Sequence, residues 1–189
     1  MASETRRLKQ LRGKPLKDYL KQVEHPGTDL VTLLQDVEDP VNVGAAFRIA
    51  DACDARELAL TGTTPAPPHP SIAGIGRGTH RRVNWSQSNS ASEAIQDFRE
   101  RGYTSCAIEV ASNSVPYYEV EYPDKICLVL GNEYYGVAKR TISVCDMAIY
   151  IPMYGKVMSL NVHVALGIAA YHIIHSNRIR GGYCDSPAE

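Results

Sequence analysis

The feature that most constrains the fold is an alternation of short, apolar, β-branched runs with helix-like segments. The strand-like runs are "DLVTLLQ", "ELALTG", "YTSCAIEV", "KICLVLG" and "MAIYIPM". Helical patterns such as "GAAFRIADACDA" and "SASEAIQDFRERG" lie between them. This alternation is typical of a parallel sheet with helices on both faces. The sequence therefore predicts an α/β fold, and a chain of 189 residues suits a single domain.

We expect three segments along the chain. Residues 1–28 are predicted to be a basic N-terminal arm that includes a short amphipathic helix around "LKDYLKQV". Residues 29–178 are predicted to form the sheet domain, which ends in a buried helix that starts at Val162. Residues 179–189 are expected to be a C-terminal tail. The Pro-rich stretch "TTPAPPHPS" predicts a loop at 63–71.

Charge is distributed unevenly along a nearly neutral chain. The net charge of -1 and the pI of about 6.6 show that the chain as a whole is not basic, so its overall charge gives no argument for nucleic-acid binding. However, residues 1–24 contain seven basic and three acidic residues, and "GRGTHRRVNW" groups further cations. These two patches are candidates for contact with phosphates. Their candidate RNA-binding residues are Arg6, Arg7, Arg12, Arg77, Arg81 and Arg82.

Cysteine and histidine patterns argue against disulfides and metal binding. The five cysteines are odd in number, show no C-x-x-C spacing and lie mostly in apolar runs. The six histidines show no metal-ligand spacing with them. The N-terminus has no apolar signal-peptide core, and no segment approaches the roughly 18 apolar residues of a membrane span. We expect a cytoplasmic protein with no metal and no membrane segment.

Polar, glycine-containing sequence follows four of the predicted strands. We call these segments, each of which follows the end of a strand, the strand exits; they are "QDVEDPVNVG", "EVASNS", "LGNEYYG" and "IPMYGKVMSLN". In open parallel sheets, ligands bind beyond the carboxyl ends of the strands, so the exits predict a binding site. The chain lacks G-x-G-x-x-G and G-x-x-x-x-G-K-[ST], which argues against a dinucleotide site of the usual kind and a phosphate-binding P-loop.

Several residues in these exits can also be explained by purely structural roles. Asn42 can belong to a turn and helix cap, with Arg48 paired to Asp51 on a solvated helix face. Glu133 can cap the helix that follows it. At the last exit, Ser159 can be the N-cap of the final helix, with Asn161 satisfying amides in its first turn.

Taken together, three exits carry a family signature. "DPVNVGAAFRIADA", "CLVLGNEYYGV" and "IPMYGKVMSLNVHVALGIAAY" resemble the three ordered motifs of the SpoU/TrmH branch of the SPOUT RNA methyltransferases. The resemblance covers about residues 29–176. It implies a SPOUT fold, in which a single α/β domain with a parallel sheet flanked by helices ends in a deep C-terminal trefoil knot. It also implies a homodimer.

The resemblance implies S-adenosylmethionine (SAM) as cofactor and assigns site residues. SAM-binding positions match Gly131, Ile151 and Leu160, with Glu109 as a weaker candidate. The catalytic motif positions are Asn42, Arg48, Glu133, Ser159 and Asn161. There are two departures from the family pattern, because His163 stands where a small residue such as Ser is usual and "NEYYG" is bulkier than the common loop.

The implied reaction is methyl transfer to a ribose 2′-hydroxyl of tRNA or rRNA. Short polar side chains can hold the hydroxyl in line with the methyl donor, and orientation alone can contribute roughly 7–11 kcal/mol. Arginine is a poor base because it stays protonated, so we interpret Arg48 as a clamp on a neighbouring phosphate and a stabiliser of the developing alkoxide. The alternatives are that the arginine is the base, as in some accounts of the family, or that the proton passes directly to water or phosphate. The alternative is a non-catalytic RNA-binding or ribosome-associated module on the same fold; methylation of a base nitrogen is a third interpretation.

Overall fold

The structure is a computed structural model that describes residues 9–23 and 27–181. Its described part contains one seven-stranded sheet, in the order β3-β2-β1-β6-β4-β7-β5, and all of its strand pairs are parallel. The predicted parallel sheet is therefore confirmed. The strands are β1 (Asp29–Gln35), β2 (Glu57–Thr61), β3 (Trp85–Ser88), β4 (Thr104–Ile108), β5 (Val115–Pro116), β6 (Lys125–Leu130) and β7 (Met147–Tyr150).

Helices connect most of these strands. They are α1 (Gly13–Leu20), α2 (Pro40–Ala52), α3 (Pro70–Gly76), α4 (Ala91–Glu100), α5 (Lys139–Ile142) and α6 (Val162–Arg180), with one 3₁₀ turn at Thr79–Arg81. The final helix begins at the predicted residue and continues two residues beyond the predicted boundary at 178. No helix in the described ranges is long and apolar enough to cross a bilayer.

Two hydrophobic clusters cover the two faces of the sheet. In β1, Leu30 and Leu34 pack in the cluster that contains the buried face of α6, whereas Val31 and Leu33 pack with Ile95 of α4. Side chains alternate between the faces of a strand, so one apolar strand serves both layers. This confirms helices on both faces.

The sheet order places the candidate site. Because β1, β6, β4 and β7 are neighbours and parallel, their carboxyl ends lie side by side at one edge of the sheet. The exits after these strands are the four polar segments identified in the sequence. The start of α2 is fixed there by the Asp39 carboxylate, which accepts a hydrogen bond from the Val41 N–H at 2.8 Å, with Pro40 at the first helical position.

Candidate active site

A cavity of about 360 Å³ lies beyond the ends of β4, β6 and β7. We call it the first cavity. All four predicted cofactor-binding residues line it, namely Glu109, Gly131, Ile151 and Leu160. Its walls combine apolar side chains such as Ile108, Leu130 and Val162 with the polar groups of Asn132 and Ser159. A cavity of this size that combines apolar walls with polar groups suits a small-molecule cofactor.

The loop at 131–136 is a tightly closed wall of the first cavity. Asn132 and Gly136 exchange backbone hydrogen bonds at 3.0 and 2.9 Å. The Asn132 side-chain oxygen also accepts from the N–H groups of Tyr134 and Tyr135. A methyl group on Gly131 would overlap the backbone of Gly136, so only glycine permits this close approach.

Glu109 holds the same loop from the other side. One of its carboxylate oxygens accepts from the Val137 N–H at 2.9 Å, and the other accepts from its neighbour Val110 at 3.0 Å. A side chain on Gly136 would meet this carboxylate, and Gly136 has a φ of 65°. Glu109 therefore both lines the first cavity and fixes its shape.

A second cavity of about 500 Å³ adjoins the first. Four of the five predicted catalytic residues line it, namely Asn42, Glu133, Ser159 and Asn161. Glu133, Tyr134, Ser159, Leu160 and Val162 line both cavities. The two cavities therefore share one wall, and a group held in one is next to a group held in the other.

Glu133 anchors the loop after β1. Its carboxylate accepts hydrogen bonds from the Glu38 N–H at 2.9 Å, the Asp39 N–H at 3.1 Å and the Asn42 side-chain amide at 2.8 Å. Partial burial alone would raise the pKa of Glu133, but these hydrogen bonds outweigh it and hold the pKa below its ordinary value. Glu133 does not act as the local helix cap that the sequence allowed; it joins two distant motifs.

Asn42 is held at both ends of its amide. It is 4 % exposed, and its nitrogen donates to Glu133. Its oxygen lies 3.0 Å from Nδ1 of His163. The residue that departs from the family pattern is thus in direct contact with a predicted catalytic residue.

The final helix is capped by Asn161. The Asn161 side-chain oxygen accepts from the His163 N–H at 3.1 Å, so the capping role considered for Ser159 belongs to Asn161. The Asn161 amide nitrogen remains available to the second cavity. Within the described residues, the Ser159 hydroxyl makes no hydrogen bond and faces both cavities.

Arg48 lies apart from the residues that line the cavities. It is exposed on α2 and lines neither cavity. It does not pair with Asp51, because Asp51 forms a two-point ion pair with Arg82 at 2.7 and 3.0 Å. Gly44, one helical turn before Arg48, packs against Ile72 and Ile75 of α3.

The predicted RNA-binding residues differ in their surroundings. Arg77 and Arg81 are exposed, and neither makes an ion pair with another described residue. Arg82 is engaged by Asp51, and Arg12 binds the side chain of Gln10 at 2.7 Å. Arg6 and Arg7 lie outside the described residues.

Sequence reasoning assigned no site role to three residues, although His163 and the "NEYYG" loop were noted as departures from the family pattern. Asn132 shapes the 131–136 loop, Tyr134 lines both cavities, and His163 binds Asn42. Asn132 had a local signal, because Asn next to Gly is typical of turns. The His163 contact had none, since it joins residues 121 positions apart. Among residues 9–23 and 27–181, no group of three or more His, Cys, Asp or Glu could hold a metal ion.

Comparison with known proteins agrees with this geometry. The sequence model of the SpoU rRNA Methylase family matches residues 29–171. A tRNA (guanosine(18)-2'-O)-methyltransferase from Aquifex aeolicus is 31% identical over 170 residues, which is 90% of this chain and 80% of that protein.

Solved structures give the same result. The crystal structure of the A. aeolicus TrmH/SpoU tRNA modifying enzyme has a TM-score of 0.73 at 30% identity and covers 89% of this chain and 87% of its own. An AdoMet bound rRNA methyltransferase from Sinorhizobium meliloti has a TM-score of 0.72 at 28% identity, covering 87% of this chain and 61% of its own. This chain belongs to the SpoU rRNA methylase family.

Proposed function

We propose that the protein transfers a methyl group from SAM to a ribose 2′-hydroxyl of RNA. The observation that carries this proposal is the shared wall of the two cavities, in which Ser159 faces both. A methyl donor in the first cavity and a ribose in the second would be neighbours. The names of the relatives support the same reaction, because the Aquifex protein is a 2'-O-methyltransferase of tRNA.

The residues of the first cavity suit SAM. Apolar walls from Ile108, Ile151 and Leu160 can enclose its adenine ring, and the Ser159 hydroxyl and backbone N–H groups can bind its polar ends. The Glu109 carboxylate places negative charge in the wall of a site that would receive a sulfonium cation. When bound, SAM supplies the methyl group, and the Sinorhizobium relative is described as AdoMet bound.

In the second cavity, the chain positions the hydroxyl. The Asn161 oxygen uses one lone pair in the helix cap, so this residue offers its two N–H donors to the ribose or to the carboxylate of SAM, and one further lone pair to the ribose. Asn42, fixed by Glu133 and His163, offers one further N–H and one lone pair. These rigid groups favour catalysis by orientation.

We place Arg48 at an RNA phosphate and propose that it serves the site of a second copy in a homodimer. Six residues separate Arg48 from Asn42 on α2, which corresponds to about 9 Å along the axis and a different helix face. This separation supports a role outside the cavities of its own chain. Closed two-fold pairing is the usual arrangement of such assemblies.

Binding of RNA is proposed to use exposed aromatic and basic side chains. Tyr134 and Tyr135 are 83% and 86% exposed and can stack on unpaired bases, while Arg77 and Arg81 can contact phosphates. Arg81→Ala should reduce the slope of log affinity against log salt by about 0.7–0.9, whereas Arg82→Ala, which removes a cation already paired with Asp51, should reduce it less. Equal slopes in wild type and Arg81→Ala would remove Arg81 from the RNA surface.

The deep knot and a cytoplasmic location remain predictions. Support for the knot comes from the fold shared with SpoU structures and from the 151–161 segment, which lines the first cavity together with the 131–136 loop. An experimental main-chain trace through both segments tests it, and a path that leaves the loop unthreaded would contradict it.

The proposed function can be tested by mapping 2′-O-methyl sites in total tRNA and rRNA from cells with and without the gene. We expect one or a few sites to disappear with the gene and to return with the wild-type gene but not with an Asn161→Ala copy. Identical maps in all strains would contradict the proposal. The lost site also identifies the substrate as tRNA or rRNA.

A further inference from the structure

The contact between His163 and Asn42 has defined chemistry. The Asn42 nitrogen donates to the anionic Glu133 carboxylate at 2.8 Å, so the Asn42 oxygen must be the atom that faces His163 at 3.0 Å. A carboxamide oxygen only accepts hydrogen bonds. Nδ1 of His163 therefore carries a proton and donates it to Asn42.

His163 also connects Asn42 to the start of α6. It is the second residue of the helix, and its own backbone N–H is held by the Asn161 side chain at 3.1 Å. One residue thus links Asn42 of α2 with Asn161, the N-cap of α6, and both of these residues line the same cavity. Without the imidazole, the Asn42 amide would be held only through its nitrogen by Glu133.

We propose that His163 is a positioning residue for methyl transfer, which fixes the Asn42 carboxamide in the orientation that receives the ribose. This inference rests on the proposed function. His163 lines neither cavity, so it acts through Asn42 and does not touch the reacting atoms.

The test compares His163→Ala with His163→Asn, whose side-chain amide nitrogen can occupy the position of Nδ1. Loss of one hydrogen bond predicts a roughly tenfold lower kcat for His163→Ala, with unchanged SAM affinity and thermal midpoint close to wild type. His163→Asn should recover most of kcat and keep the wild-type pH profile. The proposal would be overturned if His163→Asn were as slow as His163→Ala. It would also be overturned if His163→Ala were as fast as wild type.

A double-mutant cycle separates positioning from general stabilisation. If His163 acts through Asn42, His163→Ala should add little to the defect of Asn42→Ala, and additive losses in kcat would contradict this. Nitrogen chemical shifts of the His163 ring give a readout independent of activity. They should show a protonated Nδ1. A ring with its proton on Nε2 instead would contradict the hydrogen bond to Asn42. If the ring shows the expected tautomer but the wild-type protein does not methylate RNA, the proposed function alone is wrong.

Discussion

At the level of single residues, Asn161 uses the two ends of its amide differently. Its oxygen caps α6 by accepting from the His163 N–H, and its nitrogen is left to the second cavity. Asp in this position would keep the capping oxygen and lose the donor. The two functions of Asn161 can therefore be separated by substitution.

Asn161→Ala should lower the free energy of unfolding by about 1 kcal/mol, because the cap is lost, and should also reduce methylation and SAM binding. Asn161→Asp should keep the stability of the wild type and still lose most methylation. Denaturant unfolding and turnover measured on both variants check this. Full activity of Asn161→Asp would show that the donor is not needed.

Glu133 should make the fold sensitive to acid. Its folded-state pKa lies below the ordinary value of 4.5, so the unfolded chain takes up this proton first as pH falls. The stabilisation from Glu133 is thus complete above pH 4.5 and is lost as pH falls through the folded-state pKa. Glu133→Gln should be less stable than wild type at pH 7 and lose less on acidification.

Unfolding free energies measured from pH 7 to pH 3 check the Glu133 prediction. Glu119→Gln, which changes an exposed carboxylate, is the matched control and should follow the wild-type curve. Parallel curves for wild type and Glu133→Gln would show that the hydrogen bonds to Glu133 do not contribute to stability in this range.

At the level of elements, the 131–136 loop forms the wall between β6 and both cavities, and its shape depends on close backbone packing. Gly131→Ala forces a backbone shift against Gly136 and should cost about 1–3 kcal/mol of stability and weaken SAM binding. Gly155→Ala is the control, since a methyl group there meets open space. Thermal unfolding and SAM titration check both, and a Gly131→Ala protein that binds SAM normally would contradict this account.

Elements with strong local patterns could be predicted from the sequence, and those without them could not. The apolar runs of β1 and β6 and the helical spacing of α6 are strong signals, and all three elements are present. Strand β3 has no apolar run in "WSQS", and β5 has two residues, one of them proline. Helix α3 begins at Pro70 inside the predicted loop, where proline suits the first helical turn.

The residues that line the site could be predicted from the sequence, but the hydrogen bonds between them could not. Motif resemblance identified residues that line both cavities, including Ser159 and Leu160. The hydrogen bonds that orient Asn42 connect it to Glu133 and His163, which lie 91 and 121 positions away. Such contacts depend on the order of strands in the sheet, which local sequence patterns do not specify.

At the level of the whole molecule, the proposed homodimer places Arg48 of one copy at the cavities of the other. Neither Arg48→Ala nor Asn161→Ala alone should methylate RNA at a substantial rate. When the two variants are unfolded together and refolded, random pairing should restore about a quarter of wild-type activity, because half of the dimers would hold one intact site.

The matched control mixes Asn161→Ala with Ser159→Ala, two changes in the same cavity, and should restore nothing. Sedimentation at micromolar concentration should first show a dimer for each protein. A monomer, or the absence of recovery with Arg48→Ala, would contradict the shared site.

The central claim is that the two adjoining cavities transfer a methyl group from SAM to a ribose oxygen. The most direct measurement incubates the purified protein with methyl-labelled SAM and the RNA that lost its site in the gene-deletion map, and then identifies the labelled nucleoside by digestion and mass spectrometry. We predict that the label is on the ribose 2′-oxygen and disappears with Asn161→Asp. Label on a base nitrogen, or an RNA that is bound but never labelled, would contradict the claim.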